Sequence, residues 1–112
     1  MQSTEEQNKK IIIDYYEYLF KHNEQMKMNA LYKGEEYEMK RNVAKRRLKA
    51  FYKTLESLDD ETMAIINGKY WGDGKDLTWN AYAKNLGYSP TKLYRLRERV
   101  IWMFATLSGE WL

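Results

Sequence analysis

Cysteine is absent from the 112 residues. That excludes disulfides, thiolate zinc sites and cysteine nucleophiles, and it fits a reducing compartment. Histidine occurs once, as His22, in a polar stretch with no second ligand type nearby. Neither a zinc site nor a histidine-based nucleophile is expected from it. No apolar run approaches the ~20 residues needed to span a bilayer. The start, Met1 to Glu6, is polar and acidic and unlike a signal peptide. The expectation is a cytoplasmic protein that makes no membrane contact. Strand-like alternation of useful length, internal repeats and low-complexity tracts are also missing. Gly72 to Lys75 lacks the glycine spacing of a phosphate loop and follows no strand. Asp73 to Asp76 is too short for a calcium loop of the EF-hand kind. Asp59, Asp60 and Glu61 suit a helix start for dipole reasons, which suffices to explain them. No catalytic residue, metal or cofactor is expected, and the chain does not read as an enzyme.

Bulk is what the chain does have. Apolar residues make up 44% and aromatics 15%, with ten Tyr and four Trp. That is enough for one modest core, in one domain or one domain with a helical extension. Net charge is +3 and the pI is about 9.0. The distribution says more than the sum. Lys40, Arg41, Lys45, Arg46, Arg47, Lys49 and Lys53 are interrupted by no acid. Lys84, Lys92, Arg95, Arg97 and Arg99 face only Glu98 in their segment. Two basic segments in a near-neutral chain suggest a footprint for phosphates. For the first, a solvated amphipathic face is the competing reading.

Periodicity predicts an all-α fold of about five helices. Glu5 to about Met28 reads as one helix with a wide apolar face of Ile12, Tyr15, Tyr16, Leu19 and Phe20. Gly34 marks a break, and Glu35 to about Leu55 reads as a second long helix. Ala44, Leu48, Phe51, Leu55 and Leu58 form a seam of about two heptads. That seam, or the aromatic face of the first helix, offers a homodimer contact. Ser57 and Asp60 match a capping box for a third helix through Tyr70. Trp71, Trp79, Trp102 and Phe104 read as core rather than as a stacking platform for single strands. Glu110 to Leu112 reads as a small sticky tail. The organisation is thus an N-terminal helical pair over residues 1–57 and a three-helix unit over residues 58–112.

Within the second unit the signals agree. Thr78 can N-cap a short helix, and Gly87 follows it at the position that needs positive φ. Ser89 and Pro90 restart a helix as N-cap and N1. Leu93, Leu96 and Val100 make its inward stripe, leaving Pro90, Thr91, Lys92, Tyr94, Arg95 and Arg99 largely outside. This is the layout of a helix-turn-helix, whose second helix enters the DNA major groove. Candidate double-stranded DNA contacts are therefore Ser89, Pro90, Thr91, Lys92, Tyr94, Arg95, Arg97 and Arg99, with Thr78 and Lys84 on the preceding helix. Lys92 and Arg95 read as base or phosphate contacts, and Arg97 and Arg99 as backbone contacts or solvated charges. Tyr94 suits stacking or a plain surface position.

The series Thr78, Ala83, Leu86, Gly87, Tyr88, Ser89, Leu93 and Arg99 resembles the helix-turn-helix of bacterial sigma-factor region 4. From Leu58 onward the pattern also resembles phage regulators of the ArpU type, small activators of late genes. The resemblance covers about the last half of the chain. It implies sequence-specific binding of duplex DNA by a phage or prophage transcription regulator. It also implies base reading at Pro90, Thr91, Lys92, Tyr94 and Arg95. Pro90 stands where sigma factors often carry a polar or basic residue, and nothing resembles the sigma region that melts promoters. Two other readings stay open. One is a protein-interaction module that binds RNA polymerase or another host factor. The other is a small terminase-like DNA-packaging subunit.

Overall fold

The structure, a computed structural model, describes residues 4–110. Trp111 and Leu112 of the expected tail, and residues 1–3 of the polar start, lie outside the described residues. The described chain is all helical, with six α-helices and one short 3-10 turn. These are α1 (Thr4–Lys21), α2 (Asn23–Asn29), α3 (Glu38–Ser57), α4 (Asp60–Trp71), α5 (Trp79–Leu86) and α6 (Pro90–Ser108).

The count exceeds five because the first predicted helix is two. His22 leaves helical geometry at φ −102°, ψ 46°. The Asn23 side chain donates to the Phe20 carbonyl at 3.3 Å, one of the acceptors left open at the end of α1. The bend lets α2 pack on α3 and buries Met26. The second predicted helix also starts later than its sequence suggests. Gly34 sits at φ 105°, and Glu35–Tyr37 form a 3-10 turn before α3 begins. Arg41 closes this connection by donating to the carbonyls of Tyr32 and Gly34 at 2.9 and 3.3 Å.

The capping box at Ser57 is not formed. Leu58 is extended, and it is Asp59 that accepts from the Thr62 N–H at 2.7 Å. Ser57 instead donates to the Thr54 carbonyl, at the end of α3. A two-residue displacement of this kind follows from where the chain leaves the previous helix.

The apolar seam of α3 is used within the chain. Ala44 and Phe51 are buried, and Leu48, Leu55 and Leu58 are partly buried. Phe51 meets Phe20 of α1, Trp71 of α4 and Phe104 of α6 at ring distances of 4.8, 6.0 and 6.4 Å. One buried cluster draws on all six helices, so the core crosses the boundary at residue 57. Phe104 is fully buried, and Trp71, Trp79 and Trp102 lie partly buried against the core, as expected. On α1, Ile13, Tyr16 and Phe20 face inward, while Ile11, Tyr15 and Tyr18 stay exposed on the outer face.

Candidate nucleic-acid interface

Backbone chemistry fixes the α5–α6 corner. Thr78 accepts from the Ala81 N–H at 3.1 Å and opens α5. Gly87, at φ 77°, closes it in the left-handed region that costs glycine nothing. The Gly87 N–H reaches the Lys84 carbonyl and the Tyr88 N–H reaches the Ala83 carbonyl, which is the Schellman pattern. Ser89 then accepts from the Lys92 N–H at 3.2 Å, with Pro90 at the first helical position. Ser89→Ala should lower unfolding free energy by about 1 kcal/mol. Urea denaturation checks this, and an unchanged midpoint would mean that Pro90 alone starts the helix.

Beyond the cap, α6 divides its faces cleanly. Leu93, Leu96, Val100, Ile101 and Phe104 are buried. Ser89, Thr91, Lys92, Arg95 and Arg99 line one groove, about 540 Å³ in volume, together with Leu96. The opposite wall is the start of α4, with Asp59, Glu61 and Thr62. Arg95 is exposed and has no hydrogen-bond or ion-pair partner among the described residues. Arg99 makes one long contact to the Thr62 hydroxyl at 3.5 Å.

The other sequence candidates lie elsewhere. Arg97 is turned toward α1, where its Nε and Nη2 grip Glu17 at 2.7 and 2.8 Å and Nη2 also reaches Asp14 at 2.9 Å. Its side chain is only 18% exposed. This guanidinium joins α6 to α1 and is not on the groove. Tyr94 lies on the α1 side as well, in a separate depression with Lys10, Asp14 and Arg97. Pro90 is half-buried at the helix start. Thr78 is spent on its cap, and Lys84 is exposed on α5, outside the groove. The basic face of α3 keeps Lys45, Arg46, Lys49 and Lys53 exposed, whereas Arg47 is held by Glu110 at 2.6 and 2.7 Å.

Two acidic side chains have partners that the sequence pattern does not reveal. Glu61 accepts from the Tyr88 hydroxyl at 2.9 Å and from Lys92 Nζ at 3.2 Å. The Tyr88 hydrogen bond, followed by that of Lys92, holds its carboxyl below the ordinary value. Glu17 is the other, and its need for a partner was visible. It is the one acid in the run Tyr15 to Phe20, which is otherwise aromatic but for Leu19, and an acid on an apolar face needs a partner.

Among the described residues no group of acidic or histidine side chains could hold a metal ion, and no helix is long and apolar enough to cross a membrane. Comparison with protein-family models, with curated proteins and with solved structures gives no match.

Proposed function

We propose that this protein is a duplex DNA-binding transcription regulator that presents α6, from Ser89 onward, to the major groove. The observation that carries the reading is Arg95. It projects from the first turns of α6, after the capped α5–α6 corner, between Lys92 and Arg99 and with no partner among the described residues. Arginine at such a place donates to guanine edges or phosphates. The resemblance of residues 78–99 to sigma-factor region 4 supports the same face. One short helix reads few base pairs, so two half-sites and a dimer belong to the proposal. With the α3 seam used within the chain, the exposed stripe Ile11, Tyr15 and Tyr18 on α1 is the dimer face of the proposal.

A random-sequence duplex titrated at several salt concentrations tests this. Wild-type binding should weaken steeply with salt. Lys92→Ala/Arg95→Ala should bind more weakly, with a log–log slope shallower by roughly 1–2 units. Arg95→Ala alone should cost about 1–3 kcal/mol on a specific site if it reads a base. Salt-insensitive binding, or none at low salt, would defeat the proposal. It would favour a second reading, a protein-interaction module. Leu31 and Met39, 76% and 81% exposed beside the α2–α3 connection, are the observation on that side.

A further inference from the structure

Three acids open α4, and the helix dipole accounts for such a cluster in general. It does not account for Glu61. Asp59 serves its own helix by capping Thr62. The Glu61 carboxylate instead leaves α4 and reaches across to the turn and to α6. A single oxygen takes both the Tyr88 hydroxyl at 2.9 Å and Lys92 Nζ at 3.2 Å. Lys92 Nζ also stands 4.0 Å above the centre of the Tyr88 ring. Three side chains from three places in the chain thus close a triangle at the start of α6. Two carboxylates, of Glu61 and Asp59, sit in a groove whose other charged side chains are Lys92, Arg95 and Arg99.

A surface built only to gather phosphates would not hold an anion there. We propose that Glu61 is a specificity-determining residue that restrains contact with the uniform phosphate backbone. It neutralises Lys92 and repels an approaching phosphate, so that release of Lys92 requires compensating base contacts from Arg95 and Arg99. Discrimination is a difference between affinities, and weakening the wrong complex serves it as well as strengthening the right one. The pair is exposed, so it tunes affinity and does not block it. This inference rests on the DNA-binding reading.

The test compares wild type, Glu61→Gln and Glu24→Gln on a random-sequence duplex by fluorescence anisotropy over a salt series. Glu24 is exposed on α2, and its substitution makes the same change of net charge. Glu61→Gln should bind roughly fivefold tighter at low salt, the effect of a weak exposed ion pair removed. Its log–log salt slope should steepen by roughly 0.9, the share of one additional phosphate contact. Glu24→Gln should match wild type. If wild type binds and Glu61→Gln binds no tighter than Glu24→Gln, the restraint is overturned and the DNA reading stands. Failure of all three proteins to bind at low salt overturns both. Binding by Glu61→Gln alone supports both.

Discussion

Replacing Glu17 with alanine is expected to lower unfolding free energy by about 3 kcal/mol, the scale of removing one partner from a desolvated ion pair. The carboxylate receives four hydrogen bonds. Arg97 supplies two, Tyr70 Oη donates at 2.7 Å, and Trp79 Nε1 donates at 3.3 Å. These donors come from α4, α5 and α6, so one side chain of α1 fastens three other helices. In the alanine variant Tyr70, only 4% exposed, and Trp79 lose this acceptor, and Arg97 keeps only Asp14. An unpaired buried donor costs more than a formed bond gains. A double-mutant cycle with Arg97→Ala isolates the pair: the two losses should fall well short of additivity. Additive losses would show that Glu17 and Arg97 act independently.

The same carboxylate sets an acid limit. Burial on its own raises the Glu17 pKa, but the hydrogen bonds of Arg97 and Tyr70 and the charge of Arg97 outweigh it, leaving the pKa below its ordinary value. A depressed folded-state pKa contributes stability that is complete above the unfolded-state value, about 4.3 for Glu. That contribution is lost as pH falls through the lower folded-state value. The stability gap between wild type and Glu17→Gln should therefore be constant near neutrality and narrow below about pH 4. A gap that persists undiminished into acid would mean that the charge of Glu17 contributes nothing.

Helix identity was legible because it rests on local chemistry. The Thr78 and Ser89 caps, Gly87 and the inward stripe of Leu93, Leu96 and Val100 are each set by a few neighbouring residues, and all stand as read. What failed was set at a distance. The bend at His22 depends on Met26 finding α3, and periodicity alone continues smoothly through it. Arg97 looked like one more outward cation because its partners, Asp14 and Glu17, are about eighty residues away in sequence. Glu61 was attributed to its own helix because Tyr88 and Lys92 come near only when α4 lies along α6. Charge clusters in a sequence therefore mix free and committed side chains. Of the ten candidate contacts, five line one groove around Arg95: Ser89, Thr91, Lys92, Arg95 and Arg99.

Phe104→Ala is expected to cost about 4 kcal/mol, the usual penalty for emptying a buried phenyl site. The ring is fully buried and packs edge-on to Tyr16, Phe20 and Phe51 at 5.7, 5.5 and 6.4 Å. All three partners belong to residues 1–57, whereas Phe104 belongs to the half that carries α5 and α6. The cavity would therefore open between the two halves. A loss of this size takes a large share of the ~5–15 kcal/mol that holds a domain together. If the halves fold as one unit, far-UV and near-UV circular dichroism should report a single coincident transition at a lower denaturant midpoint. Separate transitions would show that residues 58–112 keep a core of their own from Ile66, Leu93 and Val100, and that the aromatic contact only docks one half on the other. The shared cluster argues for the first outcome. In that case α1 and α3 form the floor on which α6 is held rigid, and truncating them should abolish the proposed DNA binding without touching a groove residue.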